Sequence, residues 1–206
     1  MKNFISSEAR KLLQLTLTLI LGLVLSGSGC TPQEAPEVGV KINDVTWATR
    51  NVAAIGRFAA NPEDVGMMFQ WNRLKAWPVT GATFGWDNSI DDGITWVTVL
   101  DPCPEGWRVP TKAELESLIT ATNTWVRGAI NGRRFISGDN TIFLPAAGWL
   151  HSFDGASQYK NSRCAYWSST KVDANRASYM SSDELNNAFM DNADKSMGFS
   201  IRCVKK

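Results

Sequence analysis

The most informative part of this sequence reads Asp101-Pro102-Cys103-Pro104-Glu105-Gly106-Trp107-Arg108-Val109-Pro110-Thr111. It combines a cysteine, a tryptophan of the kind that small domains bury, and the start of a helix. Thr111 and Glu114 form a capping box, in which the hydroxyl accepts a first-turn N–H and the carboxylate reaches back. The apolar residues that follow share one helical face: Leu115, Leu118 and Ile119. The pattern predicts a helix that ends near Thr122 and packs that face inward.

The first 29 residues have the order of a secretory signal peptide, with positive, apolar and then small residues. Lys2, Arg10 and Lys11 precede an apolar run from Leu12 to Leu25. That run is short for a membrane span, which needs about 20 apolar residues. We therefore expect residues 1–29 to direct export and to be removed.

Cys30 directly follows these small residues, an arrangement that resembles a bacterial lipobox, in which the cysteine is acylated. Gly27 stands three positions earlier, where a leucine is usual, and the alternative is ordinary signal peptidase cleavage after Gly29. We expect lipidation at Cys30. Residues 30–37 are rich in Pro and Glu and are typical of an extended tether. Residues 38–206 then suit a single domain.

Charge excludes one class of partner. The chain has 21 basic and 20 acidic residues, and the signal peptide holds three of the former and one of the latter, so the remainder is nearly neutral. No basic run indicates nucleic acid binding. We expect an exported protein, anchored in the bacterial cell envelope at the outer membrane, that meets the membrane only through its N-terminal lipid.

Three cysteines follow Cys30, namely Cys103, Cys164 and Cys203. Export permits disulfides, and three thiols allow one bridge with one left over. We pair Cys103 with Cys203, and the chain-entropy model gives a closed loop near 100 residues about 4.7 kcal/mol. Cys164 precedes an aromatic run and is expected to be a small buried hydrophobe. The alternative is a bridge that includes Cys164, which peptide mapping of the unreduced protein would reveal.

Alternating apolar residues predict a hairpin from Val38 to Trp47 that turns at Asn43-Asp44, and a strand at Gly66–Trp71. Further short strands are expected at Arg133–Ile136, Thr141–Pro145, Ala165–Ser169, Ala188–Met190 and Phe199–Val204. Residues 75–102 show no steady period and are expected to form a long ordered loop that carries several aromatic residues. One clear helix among many short strands predicts an α+β domain.

Several motifs occur in the order of one family: Trp47-Ala48-Thr49-Arg50-Asn51-Val52, Phe69-Gln70-Trp71, Asp101–Thr111, Phe143-Leu144-Pro145-Ala146-Ala147-Gly148, Tyr166-Trp167-Ser168-Ser169-Thr170 and Ser200-Ile201-Arg202-Cys203-Val204. Over residues 40–205 the chain resembles the Fibrobacter succinogenes major paralogous domain (FISUMP) family of exported and lipid-anchored bacterial proteins. That family looks like a distant branch of the C-type lectin-like and formylglycine-generating-enzyme folds.

The resemblance implies a C-type lectin-like, loop-rich α+β domain with several short antiparallel strands. It implies no activity, because the biochemical role of the family is largely unassigned. The chain departs from the family at Leu115, where a tryptophan is frequent, and at Cys164, which adds a thiol near the aromatic motif.

Calcium is the one cofactor left open, because C-type lectins bind sugars through it. Calcium takes six to eight oxygen ligands. The lectin tripeptides Glu-Pro-Asn and Trp-Asn-Asp are absent from this chain. Two acidic clusters remain, Asp87-Asn88-Ser89 with Asp91-Asp92, and Asp191-Asn192 with Asp194. Neither has the spacing of an EF-hand loop, and solvated loops account for both, so we assign no metal site.

The sequence predicts no enzyme and no catalytic residue. The only histidine is His151, and a set with Asp154 and the Ser168-Ser169 pair would be recognised by geometry rather than by spacing. There is no Gly-x-Ser-x-Gly elbow. Formylglycine-generating chemistry uses two active-site cysteines, and the Cys103–Cys203 pairing leaves only one. An envelope hydrolase that uses His151 is therefore the third hypothesis.

The tryptophans fall into two groups. Those within the family motifs are expected in the core: Trp47, Trp71, Trp107 and Trp167. Others lie in or beside loops, where they either stack on a ligand or pin the loop to the body: Trp77, Trp86, Trp96 and Trp149.

The first functional hypothesis is a domain that binds a glycan or a cell-surface protein through its long loops. The candidate ligand-binding residues are Trp86, Asp87, Asp91, Asp92, Trp96, Trp149, His151 and Asp154. The second hypothesis is a structural or scaffolding surface protein without a small-molecule ligand. The sequence gives no prediction of the oligomeric state.

Overall fold

A computed structural model describes residues 36–81 and 83–206 of the chain. The expected signal peptide, Cys30 and most of the expected tether lie outside the described residues. Glu37–Lys206 forms one compact unit. The Glu37 carboxylate accepts hydrogen bonds from Thr49 Oγ1 (2.8 Å) and Arg50 Nε (3.0 Å), so residue 37 belongs to the folded domain. Within these ranges no helix is long and apolar enough to cross a membrane.

The described chain contains seventeen strands and one α-helix. The strands β1 to β17 are, in chain order, Val40–Ile42, Val45–Trp47, Val52–Ala54, Arg57–Phe58, Met68–Gln70, Ala76–Trp77, Trp107–Arg108, Thr122–Val126, Gly132–Ser137, Asn140–Pro145, Trp149–Leu150, Ser157–Gln158, Arg163–Lys171, Arg176–Asp183, Phe189–Asp194, Gly198–Phe199 and Val204–Lys205. Helix α1 spans Lys112–Thr120, and a 3-10 turn spans Thr98–Leu100.

The strands form five small sheets in which neighbouring strands are antiparallel. The orders are β12-β11-β16-β5-β6, β1-β2-β17-β7, β10-β9-β8, β13-β14-β15 and β3-β4. Strand β17 lies between β2 and β7, so the last described strand joins the first hairpin to the Asp101–Thr111 segment. Long-range pairing of this kind makes the fold depend on contacts that no local pattern reveals.

The predicted α+β, C-type lectin-like fold is wrong. Strands hold 39% of the described residues and helices 7%, which makes the domain mostly β, with several small antiparallel sheets and a half-barrel. The main reason is β14 (Arg176–Asp183), which no sequence pattern announces. It is the central strand of its sheet and buries six consecutive residues, so the period of two disappears. Its serines add to the appearance of a loop.

Local patterns were more reliable. The first hairpin pairs Ile42 with Val45 and turns through Asn43 at φ 52°, as predicted. The capping box is present, since Thr111 Oγ1 accepts from Glu114 N (3.3 Å) and Glu114 Oε2 accepts from Thr111 N (2.7 Å). The single strand predicted at Phe199–Val204 is wrong, because β16 and β17 occupy only its two ends.

The core holds the four motif tryptophans, as expected: Trp47, Trp71, Trp107 and Trp167. The Cys103–Cys203 disulfide is confirmed, with Cα atoms 6.1 Å apart. Cys164 is a free, buried thiol, and burial raises its pKa to about 11. The disulfide and the buried core form the part of the domain against which the long loops pack.

Candidate functional site

Trp86 joins two of the loops that the sequence singled out. Its Nε1 donates to the Ser152 carbonyl (2.9 Å), and its ring lies 4.9 Å from that of Trp77. Beside it, Thr83 Oγ1 donates to the Asp154 carbonyl (3.1 Å). A Cβ on Gly155 would lie 2.6 Å from the Trp86 ring, so only glycine allows this approach. Trp86 is half-buried and anchors its loop to the body.

Trp149 is half-buried as well and stacks at 4.5 Å on the Tyr159 ring, with Nε1 donating to Gln158 Oε1 (3.1 Å). His151 Nδ1 lies 3.6 Å from Asp154 Oδ1 and accepts from Phe153 N at 3.4 Å. No serine hydroxyl bonds to this histidine in the part of the chain described. The structure therefore brings His151 to an acid but not to a serine nucleophile.

The acidic side chains of the long loop at residues 75–102 do not share a ligand position, because Asp87 and Asp91 each have hydrogen-bond partners of their own. Asp87 is exposed, and hydrogen bonds from Ser89, helped by Arg73, lower its pKa to about 2. Asp91 Oδ1 accepts from Gly93 N (2.8 Å) and Asn72 Nδ2 (3.0 Å). Asp92 is exposed. Across residues 36–81 and 83–206, no three His, Cys, Asp or Glu side chains converge as metal ligands.

Two residues that sequence reasoning missed hold the loop at Asp91–Val97 in place. Lys195 is 1% exposed, and its Nζ donates to the carbonyls of Asp91 and Gly93, both at 2.9 Å. The same Nζ lies 4.7 Å from the centre of the Trp71 ring. Asn72, buried at φ 58°, accepts from Val97 N through Oδ1 (2.7 Å). No local pattern marks either residue, because each acts across the fold.

Trp96 stands at the end of this fixed loop. Its ring packs edge-on against Trp71 at 5.5 Å, and Nε1 donates to the Leu100 carbonyl (3.0 Å). The indole is half-buried, so the rest of its surface is open to solvent. Trp96 is one of the loop residues predicted to bind a ligand, and it lines two adjoining cavities.

We call these two cavities together the Trp96 cleft. The larger, the hydroxyl chamber, has a volume of about 400 Å³ and is lined by Ile94, Thr95, Trp96, Thr111, Ser169, Thr170 and Lys171. The smaller, the charged chamber, has about 260 Å³ and is lined by Trp96, Thr98, Asp101, Arg108, Val109, Thr111, Ser169 and Lys206. Strand β13 and the Asp101–Thr111 segment thus face the Trp96 loop across one cleft.

Two charged side chains of the charged chamber, Asp101 and Arg108, have partners within the protein. Asp101 accepts from Cys103 N (2.9 Å) and Val109 N (3.0 Å), while burial raises the pKa of its carboxyl. Arg108 makes a bidentate pair with Glu114, with Nη1–Oε2 at 2.8 Å and Nη2–Oε1 at 2.6 Å. These contacts hold the wall of the chamber in place.

A different cavity, of about 530 Å³, lies over strands β9 and β10 and continues into one of about 240 Å³. Both are lined by Glu63, Arg134 and Phe143. None of the loop residues predicted to bind a ligand lines these cavities. Of the eight predicted residues, Trp96 lines the Trp96 cleft, and the other seven are not among the described residues of its wall.

Comparison with known proteins gives one match. A domain of unknown function (DUF8237) matches residues 130–204. No curated protein and no solved structure shows significant similarity to the chain. The matched segment contains Lys195 and the Ser169–Lys171 wall of the cleft, whereas the Trp96 loop lies outside it.

Proposed function

We propose that this chain is a binding domain of the bacterial cell envelope that takes up a glycan in the Trp96 cleft. The observation that carries the proposal is the wall of the cleft, where a half-exposed indole stands among hydroxyl side chains. An aromatic ring offers apolar area to the C–H face of a sugar. Hydroxyl groups can donate to and accept from sugar hydroxyls.

The rigidity of the loop supports this proposal. Lys195 and Asn72 fix the backbone on both sides of Trp96, through Asp91, Gly93 and Val97. A binding surface that is already ordered loses less conformational entropy when it binds. The cleft is therefore prepared for a ligand before the ligand arrives.

Binding rather than catalysis fits the state of the acidic groups. Both Asp101 oxygens accept backbone N–H groups, and Glu114 is taken by Arg108 and Thr111. These hydrogen bonds hold both carboxylates in fixed positions. His151 lies beside Asp154, and among the described residues no serine hydroxyl is hydrogen-bonded to it.

The envelope location rests on three features. The signal pattern of residues 1–29 and the position of Cys30 favour export and lipidation. The Cys103–Cys203 disulfide favours an oxidising compartment. The motif order that resembles the FISUMP family favours the same location, at the bacterial outer membrane.

A protein partner is the second candidate, on a separate observation. Phe84 and Phe153 are 88% and 74% exposed, on the two loops that the Thr83–Asp154 hydrogen bond joins. Exposed large aromatic side chains are typical of interaction surfaces. A partner at this position would leave the Trp96 cleft open.

The test is a glycan array probed with the purified full chain, with calcium and with a chelator. We expect glycan binding that does not need calcium. Trp96→Ala should abolish it, whereas Phe84→Ala removes an exposed aromatic outside the cleft and should leave it unchanged. Ser169→Ala, which removes a hydroxyl without an intramolecular hydrogen bond among the described residues, should weaken it. Silence of the wild type on the array, or equal binding by Trp96→Ala, contradicts the proposal.

A further inference from the structure

The two chambers of the Trp96 cleft differ in charge. The charged chamber is lined by one carboxylate, Asp101, and by two cations, Arg108 and Lys206, of which Arg108 is paired with Glu114. Among the described residues that line the hydroxyl chamber there is no carboxylate, and Lys171 is the one charged side chain. An anion in the charged chamber therefore meets the Asp101 carboxylate beside the cations, whereas in the hydroxyl chamber it meets Lys171 without a neighbouring wall carboxylate.

Lys171 is available for such an anion. It is half-buried at the end of strand β13, and its ammonium makes no ion pair within the described residues. The acids nearby have other partners. Asp173 is bound by Arg176 (2.7 Å), and Asp91 is bound by Asn72 and Gly93. An ammonium carries three donors and no acceptor, so it selects for anionic or carbonyl oxygen.

The hydroxyls of the same wall have donors to spare. The side chains of Thr95 and Ser169 make no hydrogen bond in the described structure. Thr170 Oγ1 accepts from Lys112 N (2.9 Å), which leaves its own proton free to donate. Only Thr111 is fully engaged, since it accepts from Glu114 N and donates to Glu114 Oε2.

The loop adds a second cation behind this wall. Burial lowers the pKa of the Lys195 ammonium, and the positive charge of Lys171 lowers it further. Asp91, Asp92 and Asp173 act on Lys195 in the opposite direction, but none of them lines the hydroxyl chamber. The chamber thus presents an ammonium and three free hydroxyl donors on an acid-free wall.

We infer that the hydroxyl chamber binds the anionic group of an acidic sugar residue, so that the preferred ligand of this domain is a polyanionic glycan. The inference rests on the proposed function and narrows its ligand class. Lys171 would bind the carboxylate or sulfate, with Ser169 and Thr170 donating to its oxygens. The sugar ring would lie against Trp96, which borders both chambers.

The experiment measures the affinity of the full chain for three oligosaccharides of equal length. These are a galacturonate tetramer, a neutral galactose tetramer and a sulfated galactose tetramer. Because a charge-assisted hydrogen bond is stronger than a neutral one, we expect an acidic tetramer to bind about tenfold tighter than the neutral one, which is about 1.4 kcal/mol. The arm that binds better, carboxylate or sulfate, identifies the anion.

Lys171→Gln should reduce affinity for the acidic tetramer about tenfold and leave affinity for the neutral tetramer unchanged. Lys171→Arg, which keeps the charge, should restore most of it. Lys160→Gln, an exposed lysine outside the cleft, is the matched control and should have no effect. The salt dependence of acidic binding should become shallower in Lys171→Gln.

The outcomes separate the two proposals. Equal affinity for acidic and neutral tetramers overturns the inference while the proposed function stands. An acidic preference that persists in Lys171→Gln also overturns it, because the anion then binds elsewhere. Failure of all three tetramers and of every glycan on the array removes the proposed function itself.

Discussion

Two buried cations support two regions of this molecule through different contacts. We call these regions the body, which contains the sheets, helix α1 and the disulfide, and the loop region, which contains Asp91–Val97. Arg202 and Lys195 are 0% and 1% exposed, and neither pairs with a carboxylate in the described structure. Arg202 belongs to the body, where its five hydrogen bonds reach Asn51 and the carbonyls of Ala48, Thr49 and Phe143. Lys195 belongs to the loop region, where its ammonium holds two loop carbonyls.

From this difference we expect the body to determine the free energy of unfolding and the loop region to determine the affinity of the proposed glycan binding. A guanidinium is a planar fork that joins several fixed segments, whereas an ammonium is a compact point charge. The body should therefore unfold only globally, while the loop can open locally at a lower free energy. Loss of each cation should affect a different measurement.

The largest expected effect is on the body, from loss of the disulfide. The double variant Cys103→Ser with Cys203→Ser opens a loop with a sequence separation of 100. Chain entropy predicts a loss of about 4.7 kcal/mol in the free energy of unfolding. Urea denaturation of the oxidised wild type and the double variant measures it. Equal midpoints would show that the body does not depend on its clamp.

Arg202→Met should be nearly as costly, at about 3–4 kcal/mol. It removes the donor to the buried Ala48 carbonyl and Asn51 amide oxygen, each of which costs about 1–3 kcal/mol when unsatisfied. Water can replace the donor at the half-buried Thr49 and Phe143 carbonyls. Arg134→Met, on an exposed position of strand β9, is the matched control and should stay within about 0.5 kcal/mol. Denaturant midpoints compare the two. A small loss in the free energy of unfolding for Arg202→Met would contradict the expected difference between Arg202 and Lys195.

The body was also the region that the sequence predicted best. The capping box, the first hairpin and the buried motif tryptophans are local or compositional patterns, and the structure confirms each. The count of cysteines and the expected compartment predicted one bridge but left three possible pairings, and the structure confirms the chosen one, Cys103–Cys203. The fold class failed because β14 is buried on both faces and because strand pairing such as β2 with β17 is long-range. The resemblance to the FISUMP family stays a prediction.

The candidate site was predicted only in part. Trp96 was identified as a loop aromatic, and it lines the cleft. The opposite wall comes from Ser169–Lys171, about 75 residues later in the chain, and sequence spacing cannot bring it there. Trp86 and Trp149, named for the same reason as Trp96, serve instead to pin loops. Lys195 was invisible because its partners are backbone carbonyls, which every residue has.

Lys195→Met tests the loop region. It should lower the global free energy of unfolding by only about 1–2 kcal/mol, because two loop carbonyls can turn to water. Hydrogen exchange should instead show loss of protection at Val97 N, whose acceptor Asn72 depends on the loop position. Glycan affinity should fall about tenfold as the loop must be ordered on binding. Lys160→Met, an exposed lysine, is the control. A large global loss with unchanged affinity would assign Lys195 to the body.

The smallest effect is expected at Thr111, which belongs to both regions because it caps helix α1 and lines both chambers. Thr111→Ala should cost about 1 kcal/mol, the usual loss of an N-cap hydroxyl. Thr111→Ser keeps that hydroxyl and should cost less than about 0.5 kcal/mol. Since Glu114 engages the hydroxyl as donor and as acceptor, the ligand receives no hydrogen bond from it. Glycan affinity should therefore be unchanged in both variants, as isothermal titration can show. An affinity loss in Thr111→Ala that Thr111→Ser restores would mean that the helix cap opens when the ligand binds, and that the body and the loop region are coupled through this one residue.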